Sequence, residues 1–554
     1  MIATWPVAEM GFQDDWSYIR TALEFSKTGH FVFNGWSTAM LGWMVPWGSL
    51  FIKAFGFSFT AVRFSILPIA ALTAYLFHAC LVRCGIRGRD AVLGTLTLGL
   101  SPVFTPMAAS FMTDVPGLLV IVLCFYLCLR AVRAPDVRQV IFYLTCATLA
   151  GVVGGTVRQI SWLGALVMVP STAWLLRRYP GVRVAGLILW VASLVAVVWL
   201  LHWWNAQPYS VPEKIDRGVV DAAMVHHFGG KLVKGLLCLL LLVYPVLSAW
   251  LVQVRNLSRR ALLRLGIALL VVNSLLMMMD GGMRGFWVLP WIGHLIFGVI
   301  YGRGEFTGPG PVVMSMNTRM LISILVFITA WILVEAALMR RRQEPDEPSG
   351  TEAFSWREMS WVIVPFCATY FALLLPRTLY EFLYDRYFLG LMPFAIIALL
   401  RLHRRWFGKH VPWIAFVALV LFSVESVAGT HDWFATNRAR LRALNEVHAA
   451  GVPMNYIQGG FEHDGWTQID VVGHVNEKRI RVPKATYIYV RRAKLQPSCE
   501  HFFSPFESGV DPQYVIVGSQ MPCFENTGFP PVRYRAWLPP FERHIYVQKM
   551  RDTP

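Results

Sequence analysis

Long apolar runs with almost no charge are the feature that most constrains this chain. The segments 65–82 (SILPIAALTAYLFHACLV) and 186–204 (GLILWVASLVAVVWLLHWW) are two examples. Each has about 18 residues or more, which is enough to cross about 30 Å of hydrocarbon as a helix. Lipid cannot satisfy a bare backbone amide, so a chain that crosses it must be helical or a closed barrel. About twelve such runs predict a mainly α-helical, polytopic membrane bundle.

The basic residues give this bundle an orientation. The candidate spans are roughly 58–82, 90–107, 113–131, 139–157, 159–176, 182–204, 233–253, 260–279, 318–339, 359–376, 387–402 and 411–428. Arginine clusters follow every odd-numbered span. The cluster after the first span, for example, consists of Arg83, Arg87 and Arg89. Cytoplasmic loops are enriched in Lys and Arg, so we predict that these loops are cytoplasmic.

This orientation puts both the start and the tail of the chain on the non-cytoplasmic side. The segment 1–10 (MIATWPVAEM) reads like the last turns of an apolar helix. We therefore expect a first transmembrane helix upstream of the sequence. The alternative is that a short N-terminus is simply translocated.

Three domains are predicted. Residues 1–57 form an external juxtamembrane loop, residues 58–429 form the transmembrane bundle, and residues 430–554 form a small α/β domain outside the membrane. The tail begins with a helical pattern that ends near Gly451. Short runs rich in aromatic and β-branched residues then predict strands. These runs are ATYIYV (485–490), QYVIVG (513–518), VRYRAW (532–537) and HIYVQ (544–548).

Composition excludes some classes of function. The net charge of +17 would suggest nucleic-acid binding in a soluble protein, but here the basic residues lie in short clusters between apolar runs. We expect no nucleic-acid partner. Of nine cysteines, only Cys499 and Cys523 lie in the polar tail. They form a disulfide if the tail is in an oxidising compartment, and otherwise remain two free thiols.

An acidic pair opens the list of candidate site residues. Asp14 and Asp15 lie just before an amphipathic stretch, 18–25. Carboxylates beside a membrane surface are costly unless they are used or solvated. One is suited to act as a base on an acceptor hydroxyl, while the other positions it or holds a cation. The structural alternative is that the pair only caps a helix.

A third acid, Asp114, is predicted where the second external loop re-enters the membrane. It is followed by Pro116, so it also suits the start of a helix. Four arginines are predicted on the same side as the acids. Guanidinium groups at this level bind phosphate or extend towards lipid headgroups. These arginines are Arg158, Arg284, Arg377 and Arg386.

No metal or cofactor motif is evident. The pair His226-His227 lacks the spacing and the carboxylate partner of a metal triad. The cofactor therefore stays open, with a divalent metal at the acidic pair as one alternative.

The motifs resemble the GT-C superfamily of membrane glycosyltransferases, in particular protein O-mannosyltransferases and bacterial aminoarabinose transferases (glycosyltransferase family 39). Members carry an acidic pair in the first external loop, matched by residues 13–18 (QDDWSY). Their acidic residue near the second external loop is matched by 113–116 (TDVP), and their late Arg-Tyr motif by 384–388 (YDRYF). The resemblance covers about residues 9–428. It departs from the family in lacking the first helix and in having Asp-Asp where Asp-Glu is frequent.

The resemblance implies an inverting transfer of a sugar from a polyprenyl-phosphate donor to a lipid, glycan or protein acceptor. It implies a bacterial inner-membrane protein whose active site faces the non-cytoplasmic side. Asp14 is then the main acceptor-side carboxylate, with Asp15 close behind and Asp114 assisting. The four arginines bind the donor phosphate, and Tyr18 and Tyr387 line the substrate pocket.

Two other classes of function remain open at this stage. A lipid or saccharide transporter is the main alternative, although such proteins usually show internal repeats and charged groups near the bilayer midplane. The charges here gather at the external boundary, which favours an interfacial enzyme. The other class is a non-catalytic assembly protein that docks through its external tail.

Overall fold

A computed structural model describes residues 2–213, 222–279, 307–308, 310–340, 354–380, 383–407, 410–489 and 499–551. Arg284 lies outside the described residues, as do most of the predicted linker 343–357 and much of the glycine-rich stretch 280–317. The side chains of His226 and His227 are also outside them.

The regular secondary structure described in the first half of the chain is all helical. A 3₁₀ turn at Ile2–Thr4 precedes two helices of the loop 1–57, and longer helices follow. The α-helices are α1 (Asp15–Thr28), α2 (Met44–Phe55), α3 (Phe59–Phe64), α4 (Ile66–Arg83), α5 (Arg89–Gly99), α6 (Phe104–Ala108), α7 (Asp114–Val132), α8 (Val137–Gly155), α9 (Val169–Leu175) and α10 (Val182–Ala206). A 3₁₀ turn at Gln159–Trp162 and a π-helical turn at Gly164–Met168 lead into α9.

The second half continues the bundle and then enters the tail domain. Its α-helices are α11 (Ala222–Leu242), α12 (Tyr244–Leu247), α13 (Arg259–Met279), α14 (Met316–Arg340), α15 (Trp356–Tyr380), α16 (Met392–Phe407), α17 (Trp413–Ala449) and α18 (Phe461–Val472). The 3₁₀ segments are Ser248–Asn256, Asp385–Phe388, Met454–Tyr456 and Ser504–Phe506.

Among the described residues, eight helices are long and apolar enough to cross a membrane. A bent pair, Phe228–Leu242 and Tyr244–Asn256, makes a ninth candidate, with 75° between its halves. Helix α10 shows the character of a lipid-facing span, because only 17% of its apolar window is buried. A soluble protein could not leave such a surface in water. The prediction of a helical membrane bundle is confirmed.

Three predicted spans, in addition to the bent span 233–253, are not single helices of membrane length. The run 90–107 is split between α5 and α6 at a turn containing Pro102, which cannot continue a helix. The run 159–176 is divided among 3₁₀, π and α turns. The run 387–402 begins in a 3₁₀ turn, so α16 has only 16 residues. Apolar composition predicted these segments as transmembrane spans and did not predict that they would be irregular.

The tail forms a small α/β domain, as predicted. Its strands are β1 (Ile457–Gln458), β2 (Tyr514–Val517), β3 (Phe524–Asn526), β4 (Val532–Arg535) and β5 (Glu542–Met550). Strand β1 pairs parallel to β2, and β2, β3 and β4 all pair antiparallel to the long β5. The predicted strand at 485–490 is wrong, because residues 485–489 form no strand. A disulfide joins Cys499 to Cys523.

Helix α17 connects the bundle to this domain. It has 37 residues and is about 55 Å long at 1.5 Å per residue. The boundary predicted at 429/430 therefore lies inside one continuous helix. The end of α17 also contacts the start of the chain: Asn437 Nδ2 donates to the carbonyl of Gly11 over 3.2 Å, and Arg438 donates to that of Trp5 over 2.8 Å. The tail domain and the loop that carries the acidic pair consequently share one end of the molecule.

Candidate active site

Asp14 lies immediately before α1. Gln13 has a φ of +55°, which turns the chain so that the helix starts at Asp15. Oδ1 of Asp14 accepts a hydrogen bond from the indole Nε1 of Trp36 over 2.9 Å. Its Oδ2 accepts from Nη2 of Arg386 over 3.3 Å. The Asp14 side chain makes no capping hydrogen bond. Its carboxylate is therefore oriented by a tryptophan and an arginine and not by the helix end.

Asp114 approaches the same arginine from another loop. It is the first residue of α7, and its side chain is buried. Nη1 of Arg158 lies 2.8 Å from its Oδ1, and Nη1 of Arg386 lies 3.9 Å from its Oδ2. Gly117, one turn further along α7, leaves room for this pairing, because a Cβ there would lie 3.0 Å from Cδ of Arg158.

Arg386 thus joins two acids that are one hundred positions apart in the chain. It lies in the 3₁₀ turn Asp385–Phe388, and its side chain is only 12% exposed. Two carboxylates around one guanidinium, with Arg158 beside them, form a compact charged cluster. We call Asp14, Asp114, Arg158 and Arg386 the acid–arginine site.

The Tyr387 ring is shared by three arginines. The guanidinium carbon of Arg377 lies 4.8 Å from the ring centroid, that of Arg158 lies 5.7 Å away and that of Arg386 lies 5.8 Å away. Aromatic rings attract cations at such distances. Arg377 also forms an ion pair with Glu213, with 2.8 Å between Nη1 and Oε1. Tyr387 therefore gathers predicted phosphate-binding arginines from three separate segments.

Tyr18, the other predicted pocket residue, is buried in α1. Burial, followed by the nearby charge of Asp14, raises the pKa of its phenol well above the usual value. The opposing effect of Arg386 does not outweigh these causes. Tyr18 consequently keeps its proton at neutral pH, so that its hydroxyl is able to donate a hydrogen bond.

Asp15 has different partners from Asp14. Its Oδ2 lies 2.8 Å from Nε of Arg63, and both side chains have 0% exposure. Backbone N–H groups of Phe12 and Phe111 also donate to its oxygens, over 2.6 and 3.3 Å. Burial raises the pKa of Asp15 although Arg63 opposes the shift. This carboxylate links the first loop to the second loop and does not reach the acid–arginine site.

Asp385 is a residue to which the sequence argument gave no role, although it stands within the Arg-Tyr motif. Its side chain is buried, and Oδ1 accepts from the backbone N–H of Arg386 over 2.8 Å. Within the described part of the chain, Oδ2 has no hydrogen-bond partner. Burial raises the pKa of Asp385 to about 7, against the lowering effect of Arg386. A carboxyl beside an arginine of the site thus titrates near neutral pH.

A cavity of about 10 Å³ lies among Asp114, Arg158, Tyr370 and Arg386. This is the space of about one water molecule. This space is too small for a phosphate group.

Comparison with known proteins gives similarity in fold only. No family model matches the chain, and no curated protein matches it significantly. Solved structures similar to it include ArnT from Cupriavidus metallidurans in the apo state, at 14% identity and a TM-score of 0.38, covering 83% of this chain and 81% of that chain. The same protein bound to undecaprenyl phosphate is 13% identical, with a TM-score of 0.37, covering 99% and 96%.

A third similar structure is the archaeal oligosaccharyltransferase AglB from Archaeoglobus fulgidus, in complex with an inhibitory peptide and a dolichol-phosphate. It is 14% identical, with a TM-score of 0.41, and the match covers 92% of this chain and 61% of that chain.

Proposed function

We propose that this chain is a membrane glycosyltransferase that moves a sugar from a polyprenyl-phosphate donor to a lipid, glycan or protein acceptor, with inversion at the anomeric carbon. One observation carries the proposal. Two carboxylates from separate loops, Asp14 and Asp114, converge on the guanidinium of Arg386 at 3.3 and 3.9 Å. Such a cluster combines a base for an acceptor with cations for a phosphate.

Asp14 is the acceptor-side base in this proposal. Its side chain is 18% exposed, whereas that of Asp114 is 1% exposed, so an acceptor hydroxyl reaches Asp14 more readily. As the acceptor oxygen bonds to the anomeric carbon, Asp14 takes the hydroxyl proton. The bond from that carbon to the phosphate oxygen breaks on the opposite face, and the lipid phosphate leaves with the bonding electrons.

Arg158, Arg377 and Arg386 stabilise the charge that develops on the departing phosphate. Guanidinium groups bind phosphate oxygens bidentately, and a site with little water strengthens the interaction. Arg284, outside the described residues, is retained as a fourth candidate. Asp114 holds Arg158 and Arg386 in place. We assign Asp15 to the fold and not to the reaction, because its carboxylate is occupied by Arg63.

The donor arrives through the bilayer. Apolar helices such as α10 expose Leu187, Ile188 and Val195, which suits contact with lipid tails. A polyprenyl chain is held by the same apolar surface that anchors the protein in the membrane. No soluble nucleotide-sugar domain is then required.

We place the site and the tail domain on the non-cytoplasmic side of a bacterial inner membrane. The arginine clusters after alternate spans support this orientation. The Cys499–Cys523 disulfide agrees with an oxidising compartment. A membrane-impermeant thiol reagent on intact cells tests the side. It should label Arg533→Cys, a side chain 71% exposed in the tail domain, but not Arg177→Cys in a predicted cytoplasmic loop. The reverse pattern would invert the orientation.

The decisive experiment is transfer in proteoliposomes that contain the purified chain and a radiolabelled polyprenyl-phosphate sugar. Transfer of label to a membrane lipid, glycan or peptide acceptor supports the assignment as an enzyme. This transfer should be lost in Asp14→Asn. Label that crosses the bilayer while still attached to its carrier identifies a transporter and removes the proposal. Neither transfer nor movement, with all three acceptor classes supplied, also contradicts it.

A further inference from the structure

A second cluster of ionisable side chains lies in the tail domain, apart from the acid–arginine site. Asp464, His501 and Glu507 are all buried, and one ligand atom from each lies within 4.8 Å of the others. Asp464 belongs to α18, whereas His501 and Glu507 flank the 3₁₀ turn Ser504–Phe506. Burying two carboxylates and an imidazole together is costly unless a cation compensates their charge.

The distances within the cluster suit a shared cation better than direct hydrogen bonds. Nδ1 of His501 lies 3.5 Å from Oε2 of Glu507 and 3.9 Å from Oδ2 of Asp464. Hydrogen bonds from N–H to oxygen usually measure about 2.7–3.2 Å. Ligand atoms around a tetrahedral zinc ion, each about 2.0–2.1 Å from the metal, are about 3.3 Å from one another. The 3.5 Å separation is close to that spacing, and the 3.9 Å separation would need to shorten by about 0.6 Å when the ion binds.

Asp464 has a structural role as well, and this role does not explain the whole cluster. Its oxygens accept from the backbone N–H groups of Gly459 and Gly460 over 2.7 and 3.1 Å, at the start of α18. Nδ1 of His463 lies 2.9 Å from Oδ1 of Asp464. These contacts account for one acid. They do not involve Glu507 or His501, the other two buried members of the cluster, which lie on another segment.

We propose that Asp464, His501 and Glu507 bind a divalent transition metal, with Zn²⁺ as the best match. An imidazole favours zinc over calcium or magnesium, and three protein ligands with a water complete a tetrahedron. The hydrogen bonds from Gly459 and Gly460 orient the Asp464 carboxylate, as outer contacts do at many metal sites. The proposal does not depend on the transferase assignment.

The metal would connect the tail domain to the acid–arginine site. Its ligands lie next to three aromatic residues that surround Trp36: Phe461, Phe503 and Phe506, with ring centroids 5.0, 6.1 and 5.3 Å from that of Trp36. Trp36 in turn donates to Asp14. By fixing α18 against the segment 501–507, the metal holds the aromatic surface that orients Trp36. The three ligands are positioning residues in this scheme.

Metal binding by the purified full-length chain tests the proposal without an activity assay. The protein is stripped with a chelator, titrated calorimetrically with ZnCl₂, and analysed for metal content by mass spectrometry. We expect one zinc per chain and a higher Tm when zinc is bound. His501→Asn and Glu507→Gln should each weaken zinc binding by roughly tenfold or more. His544→Asn, at a partly exposed histidine of β5, is the matched control and should bind as the wild type does.

Three results would overturn the proposal. They are the absence of stoichiometric zinc in the wild-type protein, unchanged affinity in both ligand variants, and tighter binding of Ca²⁺ than of Zn²⁺. The wild-type titration decides the question even if a variant fails to fold. Size-exclusion profiles identify such a variant, and it is then replaced by Asp464→Asn.

Discussion

Asp14 and Asp15 are adjacent in the chain, but their carboxylates pair with different arginines. Asp14 contacts Arg386 at 3.3 Å, and Asp15 contacts Arg63 at 2.8 Å. The first pair is partly exposed, whereas the second is fully buried. We therefore propose that Asp14 is available for chemistry and that Asp15 stabilises the fold, and each role can be tested separately.

Asp14→Asn should abolish transfer while leaving the protein folded. The amide keeps the size of the side chain and accepts the Trp36 hydrogen bond, but it cannot take a proton. Loss of a general base costs about 10²–10⁴-fold in rate. Initial rates of sugar transfer, with Tm as the control for folding, measure the effect. Wild-type activity in this variant would remove Asp14 from the mechanism.

Asp15→Asn should instead reduce stability. Removing one partner of a buried ion pair costs about 3–5 kcal/mol, because the other charge is left uncompensated. The guanidinium of Arg63 would then be that charge. We expect a lower yield of monodisperse protein and a clearly lower Tm than in Asp14→Asn. If the variant is inactive although it is as stable as the wild type, Asp15 takes part in the reaction.

Trp36→Phe tests whether the indole N–H orients Asp14. The substitution keeps an aromatic ring against Phe461 and Phe506 but removes the donor. A hydrogen bond to a charged group contributes about 1.5–3 kcal/mol, so a fall in kcat of about tenfold or more is expected. Trp47→Phe is the matched control, because the Trp47 indole donates to the backbone carbonyl of Ser65 instead. Equal loss in both variants would mean that the effect is general packing.

Arg386→Lys should impair donor binding and the chemical step together. Lysine keeps the charge but cannot span Asp14 and Asp114 while also binding phosphate bidentately. We expect kcat/KM for the polyprenyl-phosphate sugar to fall by about 10²-fold or more. Arg20→Lys is the control, since Arg20 pairs with the half-exposed Asp470. Unchanged kinetics in Arg386→Lys would argue against a phosphate role.

The sequence predicted most of the fold because that information is local. Apolar runs of membrane length are visible residue by residue, and α7, α10 and α14 lie where hydropathy placed them. The irregular turns before α9 were not predictable in the same way, because a buried 3₁₀ or π turn is as apolar as a helix. In the tail, β1 and β3 have only two and three residues. Strands this short depend on pairing with a neighbour and carry no periodic signal.

The residue types of the candidate site could be predicted from the sequence, but the pairing of their side chains could not. Sequence motifs indicated Asp14, Asp114 and Arg386, because charges beside apolar runs are conspicuous. They could not tell Asp14 from Asp15, since that distinction depends on Arg63, 48 positions away. Asp385 was missed for a related reason. Its raised pKa follows from burial, which adjacent charges in the sequence do not reveal.

Asp385 should give the protein a stability that falls as pH rises towards neutral. Its pKa is about 7 in the folded protein and 3.8 without the burial effect. Between these pH values the folded state holds a proton that the unfolded chain has released. The free energy of unfolding therefore decreases up to about pH 7, and this penalty stays constant at higher pH. Asp385→Asn removes the penalty. Its Tm should therefore exceed that of the wild type at about pH 8, and the difference should be clearly smaller at about pH 4, where little of the penalty has developed. A Tm difference that does not change with pH would show that Asp385 is not the titrating group.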